Sequence, residues 1–376
     1  MLENIKDAVF YCTECKVCMD VCSFYLSSKD EKLGPWGKIK AAQSVLNEEK
    51  NISEIIKELY TCTCCETCEL VCPMNIPISD VIRSLRSLAV EEGKVPEPIT
   101  NICKNIVSSG SMTGEGPEYW KKWIPDSIKF PERAEYVYLV GCMVPFRLHE
   151  IGHATVDIFS KANLDFTILG EQERCCGLLL FDHGFFDKAK KVAESNIAKI
   201  EEKGIDRVVT ACAACYYTYR YIYPRIYRKP DFEVLHVVEV LSDLIDQEKI
   251  KFKRIEEKFV FLDPCHFAKT SEKYEEPRKI IESIPGVELL EFSKNRNEGY
   301  CCGAPGGIRL LFRDISNSVA MMIIREALDL GASRIITACP LCMYQLASTV
   351  RKQGIKNLKV MDIPMLLHEA YRSSNL

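Results

Sequence analysis

The sequence predicts an α/β protein in which two similar parallel α/β lobes follow a small helical module. Three observations carry that prediction. The triplet Cys-Cys-Gly occurs twice, at Cys175-Cys176-Gly177 and Cys301-Cys302-Gly303, each time between a lone upstream cysteine and a downstream C-x-x-C. The two resulting sets are Cys142, Cys175, Cys176, Cys212, Cys215 and Cys265, Cys301, Cys302, Cys339, Cys342. They are offset by about 125 residues with nearly matching gaps, the mark of an internal repeat. Within each repeat short apolar runs alternate with helical stretches, and that alternation argues for parallel packing.

Residues 1–92 form the helical module. KIKAAQSVL has helical spacing after the Gly34-Pro35 break, SEIIKELY opens with Ser53 in an N-cap position, and DVIRSLRSLAVEEGK predicts a helix that ends at Gly93. The module carries Cys12-x-x-Cys15-x-x-Cys18-x-x-x-Cys22 and Cys62-x-x-Cys65-x-x-Cys68-x-x-x-Cys72-Pro73. Both runs have the bacterial ferredoxin spacing, in which three cysteines wrap one cubane and the fourth reaches across to the other. On that rule Cys12, Cys15, Cys18 and Cys72 hold one cubane [4Fe-4S] cluster, and Cys62, Cys65, Cys68 and Cys22 hold a second. Ser23 stands where the usual run has proline; proline there shapes the turn and donates nothing, so the ligand assignment is unaffected. Cys64 lies out of register and reads as a packed or solvent-facing thiol.

Residues 93–135 are rich in Pro, Gly and Ser and read as a linker with one short helix, TNICKNIVSS. Cys103 on that helix has no partner at ligand spacing and reads as a core thiol, while Trp120 and Trp123 read as anchors against a neighbouring domain. The first lobe spans 136–255 and the second 256–376. YVYLVGC, FTIL and RVVTAC, then KFVFLDPC, VELLEF and RIITAC, read as buried strands. TVDIFSKAN, DKAKKVAESNIAKIEEKG, RKIIESI and VAMMIIREALDLG read as helices. Cys142, Cys212, Cys265 and Cys339 then fall just after strands, where parallel sheets build their binding crevices. Five thiols per set is one more than a tetrahedral zinc or an ordinary cubane needs. An unusual cluster, a cubane with a spare thiol, and zinc in one lobe are all compatible with the count.

Composition narrows the function classes. The formal charge of −4 over 376 residues leaves no electrostatic footprint for nucleic acid. No segment approaches the roughly 18 uninterrupted apolar residues of a membrane span, and MLENIKDAVFYC lacks the features of a signal peptide. A cytoplasmic protein is expected, with any contact to the inner face of a membrane made through a partner. Twenty cysteines in a long, unexported chain with ample core residues point to metal ligation rather than disulfides.

The duplicated C…CCG…C-x-x-C pattern, with the strings GCMVPFR, ERCCGLL, DPCH, GYCCGAPGG and ACPLCMYQL, resembles the CCG domains of the heterodisulfide reductase family. The fusion to a two-cubane module resembles that family's fused subunit, in which the cubane-bearing and CCG-bearing chains of other members are joined. The same domain also occurs in iron-sulfur subunits of glycolate and lactate oxidation systems. The resemblance implies a noncubane [4Fe-4S] cluster on each complete five-cysteine set, ten catalytic-site thiols in all. It implies reduction of the mixed disulfide CoM-S-S-CoB to CoM-SH and CoB-SH. The cubanes would be a wire from an electron-donor partner, a membrane cytochrome b or a soluble flavoprotein. The alternative is an electron-transfer component of a flavin-dependent dehydrogenase or quinone-linked complex.

Disulfide reduction takes two electrons and iron-sulfur centres deliver one at a time, which gives the duplication a chemical rationale. Among six histidines, His266 beside Cys265 is the best-placed proton source; a hydrogen bond to a cluster sulfur or a capped helix start would equally explain it. His149 and His153, four apart without acidic company, read as structural. Arg147 and Arg309 are candidate clamps for anionic substrate ends, or ordinary surface arginines. GAPGG lacks phosphate-loop spacing and reads as a place where backbone approaches a cluster closely.

Overall fold

The computed structural model describes residues 2–124 and 128–371; residues 1, 125–127 and 372–376, which fall in the expected helical module, linker and second lobe, lie outside it. Among the described residues, helices and short turns make up the chain as far as Lys121, and eight strands follow. β1 (Tyr136–Leu139), β2 (Phe166–Ile168), β3 (Arg207–Thr210) and β4 (Glu233–His236) form one sheet in the order β2-β1-β3-β4. β5 (Lys258–Leu262), β6 (Glu288–Glu291), β7 (Arg334–Thr337) and β8 (Lys359–Asp362) repeat it as β6-β5-β7-β8. Every pairing within the two sheets is parallel. Helices cover both faces, so the strands are continuous apolar runs such as Val137-Tyr138-Leu139, buried throughout.

In both sheets the order reverses between the first and third strands, and ligands in such sheets bind outside the carboxyl ends at that switch point. Cys142 and Cys212 follow β1 and β3; Cys265 and Cys339 follow β5 and β7. The motif glycine has a steric reason. Gly177 and Gly303 sit at φ 78° and 82°, and a Cβ there would come within 3.0 Å of Val192 and 2.9 Å of Val319, on the helices Phe186–Glu201 and Arg313–Asp329. Only glycine admits both the turn and the close helix behind it.

The sequence reading missed β4 and β8, one of the two edge strands of each sheet. FEVLHVVEVLSDLIDQ is apolar without punctuation, and the strand-to-helix break inside it is made by His236. Its Nδ1 accepts the Val238 N–H at 3.3 Å while Glu239 accepts the His236 N–H at 2.7 Å, a capping box built on an unusual cap residue. A capping box at Asn51 and Glu54, rather than Ser53, opens the turn at Ile52–Ile55. The linker is also more ordered than its composition suggests. Pro98 lies in the first turn of the helix Glu97–Ser109, which buries Cys103 completely.

Trp120 and Trp123 are both buried against the first lobe, Trp120 edge-on to Phe146 and Trp123 edge-on to Tyr138. One apolar core runs from Ile5 to Ala370. A smaller cluster of Phe24, Leu33, Cys301, Ile308 and Val319, with Cys22 and Cys65 against it, seals the helical module to the second lobe. The lobes pack on each other through Ile363–Ala370 against His149–Lys161 and Ala213–Tyr217 against Cys265–Ser271.

Gly152 tests the Trp123 anchor. In an exposed helix Gly→Ala gains up to about 1 kcal/mol. At Gly152 the new Cβ would lie 2.5 Å from the Trp123 ring and 2.8 Å from Val144, both buried. Overpacking of this kind costs about 1–3 kcal/mol and outweighs the propensity gain. Gly152→Ala is therefore expected to lower the anaerobic denaturation midpoint, and Trp123→Phe in the same chain to recover part of the loss.

Candidate metal centre

The thiols fall into groups that follow the sequence spacing. Cys12, Cys15, Cys18 and Cys72 line one cavity with Trp36, Ile39 and Ile76. Burial pushes the Cys18 thiol up to about 12, and the nearby Cys12, Cys72 and Cys15 push the same way. Cys68 is raised well above the thiol range by burial and then by Cys65, Glu69, Cys62 and Cys22 around it. The fourth cysteine of each run thus lies with the other run's first three. Like charges gathered away from water are costly unless a centre of opposite charge sits among them. Thiolate-only donor sets of this kind suit iron-sulfur clusters.

The ten thiols of the repeats are all buried except Cys142, which is half-buried, and all are free. They are strung out in neighbouring pairs. Cys176 is held well below the thiol range by its neighbours Cys175 and Cys215. Cys302 is held there by Cys301 and Cys342, and Cys339 by Cys212 and Cys342. The last pairing crosses between lobes: Cys212 belongs to the first set and Cys339 to the second. At the other end, Cys65 of the helical module is held well below its ordinary value first by Cys301. An unbroken series of thiol neighbours therefore runs from the helical module through the second lobe into the first. Among the described residues no three His, Cys, Asp or Glu side chains gather to hold a single metal ion. A multi-iron cluster takes its thiolates at separate corners, which a string of sulfurs can supply.

The seam at Cys301 is tightly built. Its N–H donates to Ser23 Oγ at 2.9 Å, and its Sγ lies 3.2 Å from Thr63 Oγ1. Gly306, at φ 68°, brings the second lobe's backbone onto the Cys62-Thr63 loop, where a Cβ would meet the Cys62 carbonyl at 3.0 Å. Arg86 is fully buried and donates to the carbonyls of Leu59 and Cys62 at 2.6 Å each and of Asp182 at 2.8 Å, joining the module to the first lobe. Cys64 is fully buried, with Arg86 Nη1 3.7 Å from its sulfur, so it is packed rather than solvent-facing.

His266 lies in the first turn of the helix Cys265–Ser271, whose cap position is Pro264, so it does not cap the helix start. Its ring stacks on Tyr217 at 4.7 Å, its Nε2 lies 3.4 Å from the Cys64 carbonyl, and Tyr217 donates to Glu66 at 2.6 Å. It is a wall between the lobes and the module. His149 and His153 are structural, bonded to the carbonyls of Pro145 and Trp123. Arg309 is committed to Gln345 and Ser348 and stacks on Tyr344. Arg147 is exposed, and its guanidinium reaches only its neighbour's carbonyl among the described residues. Glu173, which sequence reasoning passed over, accepts the N–H groups of Val140 and Gly141 at 3.2 and 2.7 Å and ties the β1 loop to the Cys175 loop. Burial nevertheless raises its carboxyl to about 8.

The chain matches the model of the cysteine-rich CCG domain at residues 136–220 and 259–347, and that of the 4Fe-4S dicluster domain at residues 8–76. It is 30% identical to the D-type chain of dihydromethanophenazine:CoB–CoM heterodisulfide reductase from Methanosarcina acetivorans, over 96% of this chain and 93% of that protein. It is 31% identical to the B-type chain of fumarate reductase (CoM/CoB) from Methanothermobacter marburgensis, over 96% of this chain and 72% of the relative. A crystal structure of a hypothetical protein from Helicobacter pylori is similar with a TM-score of 0.59 at 10% identity, covering 100% of this chain and 76% of the other. That last likeness concerns the fold alone.

Arg83 offers a stability test of the seam between module and first lobe. It is 1% exposed and pairs with Asp182 at 2.9 Å, itself 2% exposed, and with Asp80 and Glu66 at 3.0 and 3.2 Å. Arg83→Met strands the Asp182 charge away from water, at a cost of about 3–5 kcal/mol. Adding Asp182→Asn should return a large part of that loss in anaerobic denaturation. Equal instability of single and double variants would mean the pair contributes little.

Proposed function

Because this chain belongs to the heterodisulfide reductase family, among its fused cubane-and-CCG members, we propose that it reduces the mixed disulfide CoM-S-S-CoB to CoM-SH and CoB-SH. It is an iron-sulfur oxidoreductase acting on a sulfur-containing substrate, with cluster-binding domains at both ends of the internal wire. In this reading Cys12, Cys15, Cys18 and Cys72, and Cys62, Cys65, Cys68 and Cys22, hold two cubane clusters. The two five-cysteine sets hold two noncubane clusters. When bound, these clusters supply one-electron transfer and iron positions open to sulfur.

The observation that carries the proposal is that thiols of all three parts adjoin: Cys22 and Cys65 pack against the apolar cluster that holds Cys301, gripped by Ser23 and Thr63, and Cys339 neighbours Cys212. It favours an order in which the second lobe stands between the module and the first lobe. The disulfide then lies where Cys212 and Cys339 meet, within reach of both sets. Arg147, exposed and without an ion-pair partner among the described residues, is the better candidate clamp for an anionic end of the substrate. Arg309 is already committed to Gln345 and Ser348.

Electrons enter at the first cubane. Cys15 is exposed, and Tyr11, Val17, Leu70 and Met74 nearby in sequence to its ligands are exposed apolar residues. An electron-donor partner, a membrane cytochrome b or a soluble flavoprotein, docks on that side. Among the described residues no helix is long and apolar enough to cross a membrane.

The direct test is whether anaerobically purified, chemically reduced protein cleaves CoM-S-S-CoB. Reoxidation by a quinone or flavin partner with no thiol release would favour the electron-transfer alternative. Four clusters require about 16 Fe per chain and little zinc. Elemental analysis near half that value after reconstitution would remove the noncubane assignment. Cys212→Ser and Cys339→Ser are each expected to abolish turnover with every donor, since a single electron leaves the disulfide half-reduced. Cys15→Ser should spare turnover with a small artificial donor. A variant lacking one lobe's cluster yet keeping about half the rate would overturn the paired mechanism.

A further inference from the structure

Cys301 is gripped by two hydroxyls, and both come from the same small part of the helical module. Ser23 directly follows Cys22, and Thr63 directly follows Cys62; the crossed rule gives both of those cysteines to one cubane. Ser23, Thr63 and Cys301 are each 2% exposed, so neither hydroxyl has water as an alternative partner. Ser23 Oγ accepts the Cys301 N–H at 2.9 Å, and Thr63 Oγ1 lies 3.2 Å from the Cys301 sulfur. A ligating thiolate has no proton to give, so in that contact the threonine O–H donates. Ser23 also accounts for the departure from proline at this position. A proline there has no side-chain oxygen, and the Cys301 N–H would be buried without a partner.

The first lobe has no such arrangement at the matching cysteine. Cys175 donates its N–H to the Gly110 carbonyl at 2.7 Å, and Asn196 donates to its carbonyl at 3.1 Å. The linker holds the first copy, and the cubane module holds the second.

We propose that Ser23 and Thr63 are a pair of positioning residues that couple the second-lobe cluster to the neighbouring cubane. Ser23 fixes the Cys301 backbone against the ligand loops, and Thr63 raises the reduction potential of the cluster through its hydrogen bond to the Cys301 sulfur. The sign follows from charge. Reduction adds negative charge that is partly carried by the ligand sulfurs, and an O–H donor aimed at one of them stabilises the reduced form more than the oxidised form. A higher potential in the second lobe favours electron flow out of the cubane. This inference rests on the reading of Cys301 as a cluster ligand.

The test is a potentiometric titration of the reconstituted full-length protein, followed by electron paramagnetic resonance, for the wild type, Thr63→Val, Thr63→Ser, Ser23→Ala and Cys301→Ser. Thr63→Val keeps the shape and removes the donor. It is expected to shift one cluster's midpoint to lower potential at unchanged iron content, and Thr63→Ser to restore it. Ser23→Ala is expected to slow reduction of that same cluster after the cubanes are reduced, by at least several-fold. A wild-type midpoint in Thr63→Val, with Cys301→Ser losing one cluster, would overturn the proposal while leaving the ligand reading intact. Full iron and unchanged spectra in Cys301→Ser would overturn both.

Discussion

The constraint on which the rest depends is the crowding of thiols where water cannot solvate them. A thiolate out of water is unfavourable, and one beside another thiolate more so. Nine of the ten repeat thiols are buried, and their protons are already unevenly shared between neighbours. Such an assembly is tolerable only around electron-poor metal, and only if the surrounding chain is rigid enough to keep it from collapsing into disulfides. The architecture supplies that rigidity. Each sheet delivers two cysteines at the ends of adjacent central strands, and a glycine turn packed against a helix sets the Cys-Cys pair.

Most of this is legible in the sequence, because cysteine spacing reports chemistry directly. The two four-cysteine runs and the two five-cysteine sets stand out by spacing alone, and they coincide with the dicluster and cysteine-rich domains that the chain matches. The strands of the sheet centres are legible for a similar reason, since burial on both faces leaves continuous apolar runs. The edge strands β4 and β8 are not. At β4 an apolar strand passes into an apolar helix, and the break rests on a histidine acting as a cap. At the linker, prolines that read as breakers start a helix instead.

The groups that join the parts are almost invisible in sequence. Arg86 satisfies three carbonyls from two segments, and Tyr217 joins Glu66 to the ring of His266. Nothing about an arginine in an amphipathic helix or a tyrosine in YYTYRY marks it for such a role. Ser23 is the exception, since it breaks a motif and the break has a use. His266 stands beside a ligand in sequence and is a packing surface in the fold. Proximity in sequence to a reactive residue is a poor guide when the fold brings a third segment between them.

The contact between Ser23 and Cys301 spans 278 residues, and the one between Thr63 and Cys301 spans 238. In the order of the thiols, the second lobe stands between two portions of the chain made before it. The helical module and the first lobe can emerge and begin to fold while the span between them is still unwritten. Until the second repeat arrives, the thiol neighbours that join one to the other are incomplete. A chain that has not yet reached Cys301 therefore cannot close its helical module against the second lobe, whatever its first two parts have already folded into.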